Sequence, residues 1–229
     1  MGALLRLARV LDRFSLNVGK AVSWVILPLI FLIMFDVITR KIDFIKEWSS
    51  EITIQMGYSV SFILQDLQWH VHGILLLLSF GFGYMLNAHV RVDIFREMAT
   101  RRKQVWIEAF GLAICGIPFL LVMIYFSWIM TSSSFIQGEG SESQVGLGFR
   151  FFIKSFLIWG FTVALAAVLA TFFRCFVYLF GSGQLRKQAE DDIQFFTDAD
   201  LLSKLIGEQN AEAEAKAEAD AKAGDAGHG

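Results

Sequence analysis

Histidine is the side chain in this sequence with the most direct chemical potential, because two imidazoles can ligate a haem iron axially. The four histidines are His70, His72, His89 and His228. His70 and His72 are two positions apart and point in different directions on a helix, whereas His70 and His89 would lie roughly 28 Å apart along one. They cannot share a haem from within one helix, so a haem site would need a ligand from another chain.

The other reactive residue types form no catalytic pattern. Cys115 and Cys175 are the only cysteines, and each lies in an apolar stretch, so the sequence offers neither a disulfide framework nor a metal-site spacing. No Ser/His/Asp arrangement or carboxylate pair is assembled by proximity in the sequence. The sequence therefore predicts a protein that is not an enzyme and that holds no cofactor.

The elements that must position these residues are membrane helices. The chain has 229 residues, 55% of them hydrophobic, and a mean hydropathy of +0.53. Four segments approach or reach the length that crosses ~30 Å of hydrocarbon, and they predict four transmembrane helices at about 17–38, 71–87, 107–130 and 155–180. The second is short, so it must thin the bilayer, recruit Trp69 and His70 at one interface, or pack inside protein.

The apolar interiors of these four segments contain no Asp, Glu, Lys or Arg. A charge at the bilayer centre costs at least ~2.5–3.5 kcal/mol and is kept only for a purpose, such as a transport pathway. The chain alone therefore has the composition of a poor carrier.

Basic residues are distributed unevenly between the two sides of the predicted spans. Twelve lie on the side of the termini: Arg6, Arg9, Arg13, Lys20, Arg91, Arg96, Arg101, Arg102, Lys103, Arg174, Arg186 and Lys187. Five lie on the other: Arg40, Lys41, Lys46, Arg150 and Lys154. The positive-inside rule predicts that both termini are cytoplasmic. Arg174, near the end of the fourth span, is expected to extend to the cytoplasmic head groups.

Segments outside the spans differ in character. Residues 1–16 form a cytoplasmic N-terminal segment, and 17–182 form the membrane domain. Within that domain, apolar residues at helical spacing over about 44–67 predict an amphipathic helix on the outer side, with Trp48 at the interface or facing a partner. This helix could also continue into the second span as one long bent helix. Residues 183–207 predict a cytoplasmic amphipathic segment, and the polar residues 208–229 a disordered tail.

Four motifs occur in a characteristic order: LQDLQWH at 64–70, HVRVDIF at 89–95, GEGS at 138–141 and FRFFIK at 149–154. In this order, over about 21–180, they resemble the small membrane subunit of tripartite ATP-independent periplasmic (TRAP) transporters, in its mannitol/chloroaromatic-like branch. That branch usually carries prolines in the loop after the third span. This chain has Glu142-Ser143-Gln144-Val145 there, which leaves the branch-linked substrate open.

The resemblance implies a scaffold role in the bacterial inner membrane. A large multi-span subunit would hold the sodium and organic-acid sites, and a periplasmic binding protein would deliver the substrate. Trp69 and His70 would secure the periplasmic edge of the second span. His89, Arg91 and Asp93 would order the cytoplasmic turn. Trp69 is equally a general interface anchor, and Arg91 a contact to lipid phosphate.

Other interpretations stay open. Glu139 and Glu142 could touch the binding protein or belong to a solvated loop, and Lys154 would cap the outer end of the fourth span near lipid head groups. The histidines at the membrane edges leave room for the membrane anchor of a respiratory or redox complex. A third possibility is a membrane adaptor without transport. Nothing in the sequence indicates a nucleic-acid partner.

Overall fold

A computed structural model of the chain describes residues 1–56, 60–86, 99–140 and 150–193. Within these ranges every regular element is a helix, which confirms the all-α class. The helices are α1 (Gly2–Ser23), α2 (Ile26–Lys41), α3 (Asp43–Met56), α4 (Val60–Met85), α5 (Arg101–Gly111), a π-helical turn (Leu112–Gly116), α6 (Ile117–Gln137), α7 (Arg150–Phe180) and α8 (Gly183–Asp191).

Three helical stretches in the described residues are long and apolar enough to cross a membrane: Gly2–Lys41, Arg101–Gln137 and Arg150–Phe180. They contain the predicted spans 17–38, 107–130 and 155–180. Helix α4 contains most of the predicted span 71–87 but is not among them. At about 39 Å it is long enough; its first half is too polar, because it carries Gln65, Asp66, Gln68, His70 and His72.

Helices α1 and α2 form nearly one continuous element. Trp24, between them, keeps right-handed helical dihedral angles (φ −67°, ψ −19°). The 40 residues from Gly2 to Lys41 correspond to a length of about 60 Å, twice the ~30 Å of a hydrocarbon core. The helical structure therefore begins well before the predicted start of the first span, and residues of the predicted cytoplasmic segment pack against the bundle.

The long helices run alternately in opposite directions. Leu5 of α1 shares a buried cluster with Val105 of α5 and Val177 of α7, and we call this the termini end. At the other end, the end of α2 meets the start of α4, and the end of α6 meets the start of α7. We call this the loop end. The chain thus passes from the termini end to the loop end along α1–α2, returns along α4, and repeats the path along α5–α6 and α7.

Helix α7 is the centre of the bundle, with α1, α4, α5, α6 and α8 packed around it. Its contact with α4 is close enough to need glycine. A Cβ on Gly160 would lie 2.7 Å from the carbonyl oxygen of Leu77, and one on Gly81 would lie 2.8 Å from that of Val163. Small residues allow two helix backbones to approach in this way. The same contacts show that α4 and α7 run parallel.

The structure describes the predicted amphipathic helix at 44–67 in two parts, on either side of residues 57–59. Its first part is α3, and its last two turns begin α4, which continues through His70 without a break. From Val60 onward, the helix thus continues into the predicted second span, as in the alternative interpretation. A π-helical turn, Leu112–Gly116, ends two residues before Pro118. Proline has no backbone N–H to donate, which accounts for a departure from α-helical bonding at this place.

Candidate interface and internal polar contacts

The described tryptophans all face outward. Trp69 is 77% exposed and Trp48 54% exposed, and the other four are exposed as well: Trp24, Trp106, Trp128 and Trp159. Large apolar side chains also cover the outer faces of α2 and α6. Amphipathic aromatic side chains of this kind suit a membrane interface or a protein contact. Trp48 and Trp69 are therefore placed where a partner or lipid can reach them.

The LQDLQWH motif divides its side chains between two directions. Gln68 turns inward, and its Nε2 donates a hydrogen bond to the Leu32 carbonyl oxygen of α2 at 3.3 Å. Trp69 points away from the bundle. His70 is half-buried, and its Nδ1–H donates to the Asp66 carbonyl oxygen at 2.5 Å. Trp69 and His70 are neighbours in the sequence, but the first side chain is exposed and the second is half-buried.

Asp36 of α2 is a buried carboxylate that the sequence interpretation did not single out. It is 6% exposed, and Arg40, one turn further on, holds both of its oxygens at 3.0 and 3.1 Å. The Gln65 amide oxygen of α4 accepts from the Arg40 guanidinium in the amide orientation that satisfies both of its ends. The i, i+4 spacing of Asp36 and Arg40 was the available signal for this pair.

Glu139 and Lys154, both predicted site residues, meet at the loop end. The Lys154 ammonium pairs with the Glu139 carboxylate, which also accepts a hydrogen bond from the Ser134 hydroxyl at 2.5 Å. Gly138 ends α6 with φ +61°, a left-handed conformation that favours glycine and turns the chain toward α7. The hydrogen bonds from Lys154 and Ser134 hold the pKa of Glu139 below its ordinary value.

Arg174 does not extend to lipid head groups, contrary to the sequence interpretation. It is 7% exposed, and its guanidinium pairs with the carboxylate of Asp12 on α1, which is 5% exposed. α1 packs along α7 at this level and covers the guanidinium, so the arginine finds an acid inside the protein. Within the described part of the chain, Asp12 Oδ1 and Arg174 Nε make no further hydrogen bond.

Helix α8 is tied across the termini end by surface ion pairs. Asp192, just after α8, accepts from Arg9 of α1 at 3.0 Å, and Glu190 accepts from Arg101 of α5 at 3.2 Å. Ile193 is buried in the cluster beneath. The described part of the predicted amphipathic segment 183–207 is therefore packed against the bundle. Residues 194–229 lie outside the described residues.

Several other predicted features can be placed only in part. His89, Arg91 and Asp93 lie outside the described residues, as does Glu142. Among the residues that the structure does describe, no group of three His, Cys, Asp or Glu side chains is arranged to hold a metal ion. An open, shallow groove runs along the outer face of α6, lined by Trp128, Ile129, Ser132, Ser133, Ile136 and Gln137.

Three of the internal polar contacts join one part of this chain to another. Asp12–Arg174 joins α1 to α7, Arg40–Gln65 joins α2 to α4, and Glu139–Lys154 closes the connection between α6 and α7. Comparison with protein-family models, curated proteins and solved structures finds no match to this chain.

Proposed function

We propose that this chain is the non-catalytic small membrane subunit of a TRAP-type secondary transporter. In this role it supports a large membrane subunit during sodium-coupled, binding-protein-dependent uptake of an organic acid. The observation that carries the proposal is the division of side chains. The buried charges Asp12, Asp36 and Arg174 are engaged in ion pairs within the chain, while the aromatic surface faces outward. Such a bundle is suited to holding a partner, and the four ordered motifs point to the same family.

The topology of the proposed subunit has four crossings, with α4 as the second one. Helix α2 ends at the loop end, and α5 lies beside Leu5 at the termini end. The chain must return between them, and α4 runs in that direction. With the twelve basic residues of the sequence on the termini side, the proposal places both termini in the cytoplasm of a bacterial cell and the loop end in the periplasm.

Each part of the LQDLQWH motif has a separate task in this proposal. Gln65 and Gln68 fasten α2 to the start of α4. Trp69, with most of its surface free, contacts the large subunit at the periplasmic edge, and Trp48 on α3 lies toward the same end. The sodium and substrate sites belong to the large subunit. The periplasmic binding protein meets the assembly at the loop end.

Co-purification tests this function directly. We expect the tagged chain, co-expressed with a large membrane subunit encoded beside it, to retain that subunit in mild detergent and in nanodiscs. Deleting the gene should abolish uptake of the acid that the system carries. Consistent failure to recover the pair would count against the proposal, and unchanged uptake of every candidate acid would favour the adaptor without transport.

A matched pair of tryptophan variants tests the proposed contact separately. Trp69→Ala should lower the recovery of the large subunit several-fold, because buried aromatic anchors dominate many interfaces. Trp24→Ala removes a side chain of similar exposure, 73%, between α1 and α2, and should leave recovery unchanged. If the two variants behave alike while the complex still forms, the contact lies elsewhere and the function stands.

One observation favours the redox-anchor alternative. In a neutral imidazole, the hydrogen bond from His70 Nδ1–H to the Asp66 carbonyl oxygen selects the tautomer in which Nε2 has a free lone pair, and this is a form that ligates a metal. A second ligand would have to come from another chain. An absorbance spectrum of the purified assembly decides the haem version of this alternative, since a Soret band would support it and a spectrum without one would remove it.

A further inference from the structure

Helix α1 has three distinct faces, and among the described residues one of them packs against the rest of the chain. The packed face carries its buried residues: Leu5, Ala8, Asp12, Ser15, Gly19 and Val22. A second face carries Arg6, Arg13 and Lys20, which are all exposed and are spaced seven residues apart, nearly two helical turns. We call this the basic stripe. Beside it, Leu7, Val10 and Phe14 are 46%, 61% and 45% exposed and form an apolar stripe.

The basic stripe has no acidic partner among the residues that the structure describes. Arg9, on the same helix, pairs with Asp192, and Arg101 of α5 takes Glu190. Asp192 and Glu190 at the termini end are thus already paired with cations outside the basic stripe. Three cations remain on one exposed helix face, and the charge that balances them has to come from outside the described chain.

The two adjacent stripes match the chemistry of one ligand. A basic face beside an apolar face is the pattern of helices that lie at the boundary between lipid head groups and acyl chains. Cations near an anionic membrane surface are attracted to its phosphates. We propose that the outer side of α1 binds anionic phospholipid, with phosphate groups against Arg6, Arg13 and Lys20 and acyl chains along Leu7, Val10 and Phe14. This site does not depend on the proposed function.

Lipid retention by the full-length chain tests the site. The protein would be reconstituted in nanodiscs containing equal amounts of phosphatidylglycerol and phosphatidylcholine, extracted in mild detergent, and analysed by native mass spectrometry. We expect the wild type to retain phosphatidylglycerol preferentially. The triple variant R6Q/R13Q/K20Q should lower that preference roughly tenfold or more, because each cation near the surface contributes about fivefold.

A second triple variant serves as the charge-matched control. R102Q/K103Q/K187Q also removes three exposed cations near the termini end but leaves α1 intact, so most of the preference should remain. R6K/R13K, which keeps the charges, should retain it as well. Circular dichroism and gel filtration check that each variant is folded.

Three results would overturn the proposal: equal loss in both triple variants, an unchanged preference in R6Q/R13Q/K20Q, or no preference in the wild type. Removal of residues 208–229 adds a further test, because this tail carries six acidic and two basic side chains. If preference for anionic lipid appears only after this truncation, the tail is the native occupant of the basic stripe and the lipid assignment is wrong.

Discussion

The two ends of the bundle use charge in different ways. At the loop end, ion pairs are local: Asp36 and Arg40 are four residues apart, and Glu139 and Lys154 are fifteen apart. At the termini end, Arg9 and Asp192 are 183 residues apart, and Arg101 and Glu190 are 89 apart. Pairs at the loop end close a helix turn or a hairpin. Those at the termini end hold together elements that only the folded chain brings into contact.

The largest loss of stability is expected when the buried ion pair between α1 and α7 is broken. Asp12→Ala should leave the Arg174 guanidinium buried without its partner, and loss of one member of such a pair costs about 3–5 kcal/mol. Thermal unfolding of the detergent-solubilised protein measures this loss. Asn17→Ala, at an exposed position of α1, should change the unfolding temperature little.

The double variant D12L/R174M sharpens this result. Replacing both charges by apolar side chains leaves no unpaired charge, so its stability should exceed that of either single variant. If Asp12→Ala and Asn17→Ala unfold at the same temperature, the pair does not connect the two helices.

A smaller loss of stability is expected from a substitution in the middle of the bundle, away from the ion pairs of its two ends. Gly160→Val places side-chain atoms against the Leu77 backbone, which cannot move as a flexible side chain can. Overpacking of this kind typically costs about 1–3 kcal/mol. Gly83→Val adds the same atoms where no other group lies within 4 Å and should have little effect. Equal losses from both variants would contradict the close approach of α4 and α7.

At the loop end, the contribution of Glu139 to the stability of the protein should depend on pH. Because the folded-state pKa of Glu139 is lowered, its stabilising contribution is fully present above the ordinary value of 4.5 and is lost as the pH falls below it through the lowered pKa. The difference in unfolding temperature between wild type and Glu139→Gln should therefore be constant near neutral pH and shrink at acidic pH. Glu51→Gln, at an exposed position of α3, should show no such change; a pH-independent difference for Glu139→Gln would contradict the assignment.

The smallest global effects belong to the surface pairs of the termini end. Arg9→Gln and Arg101→Gln should each cost less than ~1 kcal/mol, as exposed ion pairs generally do. Locally, they should release α8, so that amide hydrogens in 183–193 exchange faster with solvent. Lys187→Gln, which removes an exposed cation of α8 itself, should not change that exchange. Protection that is unaffected by Arg9→Gln would show that Ile193 and its apolar contacts hold α8 without the ion pairs.

Sequence patterns predicted the structural features that depend on residues close together in the chain. Long apolar runs were enough for the helical class and for three membrane-length helices. They were not enough for the buried pair of Asp12 and Arg174, because a pair between the first helix and the central one requires the topology. A signal existed nonetheless: Asp12 lies on the same face of α1 as Leu5, Ala8 and Ser15. The motif LQDLQWH pointed to Trp69 and His70, whereas its two glutamines make the contacts with α2.

The shared cluster of Leu5 and Ile193 brings the beginning and the end of the described fold side by side. The helices therefore form an almost closed circuit, and their order along the chain matters less to the packing than their order in space. A circular permutant illustrates this consequence. A short linker could join residue 193 to residue 2, and new termini could be opened within 141–149. Such a chain would keep the helix contacts and move both termini to the loop end.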